Sequence, residues 1–174
     1  MRIPKSLGVA IIVVALTGLS MALAVSALGA KGPKSNGRGQ PNGPLIRAAL
    51  APSVPGDPTF HGVNPGGAPW VLKRGSVVLK RDGTFKVHLQ GLVIPNPPGD
   101  NTPGPVVTVS ASLYCGPDSE TTPAATTEAV PISRSGNASI GTSLNTPDTC
   151  LAPIVLVHPN GILGAYISLT GFRP

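Results

Sequence analysis

The sequence predicts an all-β domain, an antiparallel β-sandwich of seven or eight short strands, behind an N-terminal signal or anchor helix and a Gly/Pro-rich tether. Three observations carry that prediction. Charged residues are only 11% of the 174-residue chain while Gly and Pro number 22 and 21, a balance that excludes coiled coils and helix-rich bundles. From Trp70 onward apolar and polar residues alternate with period two, the pattern of half-buried strands. Turn-forming residues interrupt that alternation at short intervals, as between the strands of a sandwich. A hydrophobic content of 41% argues against wholesale disorder.

Residues 1–30 set the compartment. Arg2 and Lys5 precede an uncharged run from Ser6 to Ala30, the layout of a secretory signal. Val25-Ser26-Ala27 offers small residues at a cleavage site after Ala27, whereas the apolar core from Leu7 to Ala24 approaches the roughly 20 residues of a membrane span. A cleaved signal and a retained single-pass anchor both place the remainder outside the cytoplasm. Residues 31–69 read as a disordered tether and lead-in, because Gly and Pro dominate and little is available to bury. Within that stretch Leu45–Ala51 is an apolar island that either makes a short helix or lies along the domain. Phe60–Gly67 reads as a loop.

The domain is expected over residues 70–174. Phe85, Val87, Leu89 and Val93 alternate with polar neighbours, as do Val107, Val109, Ala111, Leu113 and Cys115, then Ala138, Ile140 and Leu144, then Leu163, Ala165, Ile167 and Leu169. Ile154–Val157 is continuously apolar, as in a strand covered on both faces. Thr126–Ser133 reads as an edge strand, because Pro131 has no N–H for a central ladder. At Asp82-Gly83, a two-residue turn would put Val77/Leu79 and Phe85/Val87 on opposite faces. A three-residue loop, Arg81-Asp82-Gly83, pairs Leu79 with Phe85 and Val77 with Val87, which the apolar pattern favours, with Gly83 left-handed.

Cys115 and Cys150 are the two cysteines of the chain. In an exported protein they most simply form one disulfide, the alternative being two buried thiols. Cys115 lies on the inward set of its strand, so the bond should border the core and stabilise it by roughly 3–4 kcal/mol.

Catalytic and metal motifs are not legible. His61, His88 and His158 lack the spacing of neighbouring metal ligands and read as surface or turn histidines. Asp57, Asp82, Asp100, Asp118, Glu120, Glu128 and Asp148 sit mostly beside Gly or Pro or in polar loops, where such side chains serve turns. Ser139, in Gly136-Asn-Ala-Ser-Ile-Gly141, does not match a nucleophile elbow, and Gly62–Gly67 lacks the Lys-Ser/Thr of a phosphate loop. Asn137-Ala-Ser139 matches a glycosylation triplet. No cofactor is expected.

One charge concentration stands out. Lys73, Arg74, Lys80, Arg81 and Lys86 crowd into one hairpin and its lead-in, with Asp82 the acid among them. In the three-residue register Lys80 and Lys86 share the outer face with His88. The cluster is either a solvated, aggregation-resistant face or a surface for an anionic cell-wall polymer or a membrane. Nucleic acid is not an expected partner outside the cell. The segments Trp70–Pro95, Ser110–Gly116, Val130–Ser133 with Gly136–Ile140, Cys150–Val157 and Tyr166–Phe172 resemble small exported all-β proteins of high-GC actinobacteria. That resemblance implies export and an all-β fold and brings no activity with it. The expectation is an exported, non-catalytic surface or wall-associated module. The alternatives are a secreted hydrolase with a loop-assembled site and a small-ligand carrier.

Overall fold

The computed structural model describes residues 43–171. The expected signal or anchor segment and residues 31–42 of the tether lie outside these. Among the described residues no helix is long and apolar enough to cross a membrane.

Eleven strands follow in order: β1 (Pro44–Pro52), β2 (Asn64–Pro65), β3 (Val71–Lys80), β4 (Thr84–Val93), β5 (Thr108–Tyr114), β6 (Ala125–Thr126), β7 (Val130–Pro131), β8 (Ala138–Ser143), β9 (Ile154–Pro159), β10 (Ala165–Tyr166) and β11 (Ser168–Thr170). One antiparallel path, β6-β5-β9-β11-β1-β3-β4-β8, with β7 also on β5, curls into a half-barrel around a single inner core. A separate parallel pair joins β2 to β10.

The domain starts well before residue 70, and the lead-in is not a disordered tether from residue 44 onward. β1 is an interior strand. Ile46–Ala49 pair with β3, ending at Ala49 opposite Ser76, and Leu50–Pro52 pair with β11. The apolar island therefore lies along the domain as a strand. Ile46 and Leu50 are buried inward and Ala48 packs beside them, a period-two pattern. Alanines and flanking prolines weaken that pattern in the sequence.

The β3–β4 hairpin has the three-residue register. Leu79 faces Phe85 and Val77 faces Val87, all four buried. Gly83 has φ +84° and donates its N–H to Lys80 O at 3.1 Å. A Cβ there would sit 2.5 Å from Leu144 O, so the turn requires glycine for space as well as for backbone sign. Asp82 accepts the Thr84 N–H at 2.9 Å, and that hydrogen bonding holds its carboxyl below the usual carboxylate range.

The expected edge strand over Thr126–Ser133 is split into β6 and β7, both on β5. Between them the Thr127 hydroxyl accepts the Ala111 N–H at 3.0 Å while Thr127 N–H bonds Ala111 O. A side chain thus stands in for one rung of the ladder.

Strict alternation fails in β5 and from β10 to β11. Ser110, Ser112, Tyr114, Tyr166, Ser168 and Thr170, expected outward, are all buried. Residues 53–70 cross the outer face of β5, β9 and β11 and cover it. There Val63 joins Tyr114, Leu156, Tyr166 and Leu169 in a second core, with Phe60 against it. Tyr166 Oη donates to Pro58 O at 2.7 Å, His61 stacks on Tyr114 with centroids 4.8 Å apart, and Gly66 N–H bonds Tyr166 O at 2.7 Å. The continuous apolar run in β9 fits this double burial. Val107, expected inward, precedes β5 and is 66% exposed; Leu163 is also exposed, in the turn before β10.

Cys115 and Cys150 are joined, with Cα atoms 5.0 Å apart, and both pack against the inner core. The bond lies just beyond the Tyr114–Ile154 rung of β5 and β9. The following Gly116 N–H bonds Leu151 O at 2.7 Å. At the other end of the same connection Leu144 N–H bonds Gly83 O at 2.9 Å. The disulfide therefore ties β5 to the segment that packs on the hairpin turn.

Two outcomes follow from β1 and the disulfide. A fragment beginning at Trp70 should lack cooperative unfolding by circular dichroism, whereas a chain beginning at residue 43 should retain it. Replacing both cysteines by Ala should lower unfolding free energy in urea by roughly 3–4 kcal/mol; no change would mean the crosslink constrains nothing the fold does not already hold.

Candidate anion-binding face

Among the described residues, none covers the outer face of the half-sheet formed by β1, β3, β4 and β8, whose cations are exposed. Its side chains form rows set by the strand register. Arg47, Val78, Lys86 and Gly141 make one row; Ala49, Ser76, His88 and Ser139 make the next; Arg74 stands opposite Gln90. Lys80 continues the same face toward the hairpin turn. Arg47, Arg74, Lys80 and Lys86 are exposed, and no carboxylate occupies these rows.

The five sequence-predicted cations do not all meet. Arg74, Lys80 and Lys86 share the face. Lys73 lies beside Gly91, where a Cβ would come within 3.0 Å of Lys73 Cβ, and it lines the margin of the face. Arg81 belongs to the turn and borders a small depression with Leu45, Asp148 and Cys150. The missing member is Arg47, which reading β1 as lead-in concealed; its signal was a single cation between apolar residues of an unrecognised strand.

A concavity of about 830 Å³ opens where β1 leaves β3 for β11. Half-buried Leu72 and exposed Ala49 supply its apolar lining, the side chains of Leu50 and Leu89 being buried in the inner core, and Lys73, Arg74, Ser76, His88 and Gln90 supply the polar lining. Gly75 lets Leu72 and Leu50 pack directly on the β3 backbone beneath it: a Cβ there would lie 2.5 Å from Leu72 Cδ2 and 2.7 Å from Leu50 Cβ. Asn137 also borders it, but its amide is engaged. Oδ1 accepts the Gly91 N–H at 3.0 Å and Nδ2 donates to Ser135 Oγ at 3.1 Å. The glycosylation triplet thus has its asparagine committed to holding the end of β4.

The histidines depart from the surface-or-turn expectation. His88 is exposed, but His61 and His158 are buried because residues 53–70 and the turn after β9 enclose them. His61 Nδ1 lies 2.7 Å from Glu120 O, and its N–H bonds Asp118 Oδ1 at 2.6 Å. His158 Nδ1–H donates to Ala165 O at 2.8 Å, which leaves Nε2 as an acceptor in a fully buried position opposite Ser110. Burial holds the His158 imidazole below its usual pKa. Among the described residues no three His, Cys, Asp or Glu side chains converge to hold a metal.

Ser139 Oγ lies 3.2 Å from His88 Nδ1 across β4 and β8. A Ser–His contact is the first requirement of a nucleophile pair. Here it lacks an accompanying carboxylate in the same rows, and Ser139 lies outside the lining of the concavity. Its geometry is that of a cross-strand hydroxyl–imidazole pair.

Comparison of the chain with known protein families, with characterised proteins and with solved structures finds no match.

Two measurements check these assignments. A fluorophosphonate probe should leave Ser139 unlabelled, and Ser139→Ala should change no hydrolysis of ester substrates; labelling at Ser139 would favour the hydrolase reading. His158 has a depressed folded pKa, so the unfolded chain takes up the proton first. Its stabilising contribution is present above about pH 6.5 and is lost as pH falls toward the folded pKa. The urea midpoint should therefore drop on acidification below about pH 6.5, and His158→Gln should flatten that drop.

Proposed function

We propose that the protein is an exported, non-catalytic β module that binds an anionic polymer along the outer face of β1, β3, β4 and β8. The observation that carries this reading is an asymmetry between the two halves of the sheet. Among the described residues one outer face is covered by the Gly/Pro-rich segment 53–70, whereas the other is left bare and carries Arg47, Arg74, Lys80 and Lys86 without a carboxylate in their rows. The disulfide fits a compartment outside the cytoplasm, as does the signal or anchor reading of residues 1–30. The two halves, sharing β1, are read as the layers of a sandwich.

A polymer fits better than a bilayer. The cations run from Arg74 to Lys80, about 20 Å at strand rise, along the length of the face. Of the exposed large apolar residues, Val107, Leu151, Ile162 and Leu163 lie in connections outside those cationic rows and Val71 alone lies on β3, at its start, so little apolar contact would accompany the charge on a membrane.

Exposed charge contacts are screened over about 8 Å at physiological salt. Binding to a soluble polyanion should accordingly weaken steeply as salt rises. Lys80→Ser/Lys86→Ser should weaken it by roughly two- to thirtyfold, from two exposed contacts of about 0.2–1 kcal/mol each, with the fold intact. Absence of any salt-sensitive binding by the unaltered protein to polyanions or anionic vesicles would leave the cluster a solvated face. Binding to vesicles alone would assign the face to a membrane.

A further inference from the structure

Resting on the polyanion reading above, we propose that the concavity at the β1–β3 fork is a subsite for a phosphoryl group esterified to a polyol, as in a polyol-phosphate chain. The fork exists because β1 changes partner. Ala49 is its last residue on β3 and Leu50 its first on β11, so the β1–β3 ladder ends beside Gly75, where the concavity lies. The concavity is lined at once by two cations, Lys73 and Arg74, and by the polar side chains of Ser76, His88 and Gln90.

The mixture selects the ligand chemistry. A carboxylate is planar and is satisfied by one bidentate guanidinium. A phosphoryl group offers acceptor oxygens in several directions and suits donors that arrive from separate strands. Here Lys73, Arg74 and Ser76 come from β3, and His88 and Gln90 come from β4. The Ser139 hydroxyl lies 3.2 Å from His88 Nδ1, which leaves the other ring nitrogen, Nε2, for a ligand. Gln90 and Ser76 each both donate and accept, which is what ester-linked hydroxyls require. Half-buried Leu72 and exposed Ala49 contact methylene carbons of a polyol. They offer no aromatic ring for stacking a sugar or a base.

The subsite differs from the rest of the face in what it can bind. Arg47, Lys80 and Lys86 provide charge alone and hold any polyanion by its net charge. The fork provides charge, directed donors and a wall, so it recognises a single repeat. Glycerol 1-phosphate should bind there by itself, whereas acetate or glutamate at equal concentration should not.

The experiment is titration of the full chain with glycerol 1-phosphate, poly(glycerol phosphate) and poly(glutamate), read by amide chemical shifts and calorimetry. Glycerol 1-phosphate should shift amides of residues 73–76 and 88–90. Lys73→Gln/Arg74→Gln should weaken it by about tenfold or more, as expected for lost charge-assisted hydrogen bonds. Lys80→Ser/Lys86→Ser should leave glycerol 1-phosphate binding unchanged while weakening poly(glutamate) and poly(glycerol phosphate) alike. If both polymers bind equally and the fork variant loses no more than the Lys80/Lys86 variant, the subsite is wrong and the polyanion face stands. If no polymer binds, the face and the subsite fall together. His88→Gln keeps a donor on β4 and should retain more glycerol 1-phosphate binding than His88→Leu.

Discussion

The structure depends on β1 serving two partners. A strand of nine residues gives its first part to β3 and its last three to β11, and through it the two halves become one continuous sheet. Backbone polar groups buried in a sheet must be paired, so removing β1 would expose interior ladder edges of both halves together. Its buried residues, Ile46 and Leu50, belong to the inner core that the curl encloses. The change of partner also ends the β1–β3 ladder beside Gly75, where the concavity lies. Continuity of the sheet and the shape of its outer face thus come from a single backbone divergence.

A second consequence concerns what covers each half. After β1 the chain crosses β11, β9 and β5 on their outer side, where Ser53 Oγ donates to Tyr166 O at 3.1 Å and the Phe60 and Tyr166 rings lie 6.0 Å apart. The Tyr166 hydroxyl is pushed up to about 12, chiefly by burial and further by the Asp57 charge. It therefore remains a protonated hydrogen-bond donor to Pro58 O across ordinary pH. The chain then enters β3, and among the described residues the half containing β3 receives no such cover. Its outward positions hold short polar and cationic side chains where the covered half holds Tyr114, Leu156 and Tyr166. The difference in composition follows from where one segment runs.

Much of this was legible in the sequence wherever one face of a strand meets water. The register of the β3–β4 hairpin followed from Val77, Leu79, Phe85 and Val87, because a slip of one residue would have exposed half of them. The disulfide followed from the cysteine count and the inward position of Cys115. The double coverage of β5 was not legible. Ser110 and Ser112 are small polar residues that look outward in an alternation test, and only the path of residues 53–70 buries them. β1 showed only as an apolar island, a short helix or a segment lying along the domain, because alanines between Ile46 and Leu50 blur its alternation, and the role of Arg47 was lost with it. His61 is buried by the same path, which sets it on Tyr114 beside Asp118 and Glu120, whereas His158 is enclosed by the turn that follows β9. The fork escaped for a related reason: a partner switch is a property of three strands, and no single stretch of sequence records it.

The central claim is that the uncovered half presents its cations to a polyanion. The most direct measurement is lysine acylation footprinting of the full chain with and without poly(glycerol phosphate), since it reads the side chains themselves. Modification of Lys73, Lys80 and Lys86 should slow when the polymer is present and recover when salt is raised. Unchanged modification of all three at a polymer concentration that shows binding by an independent signal would contradict the account, placing the contact elsewhere on the protein.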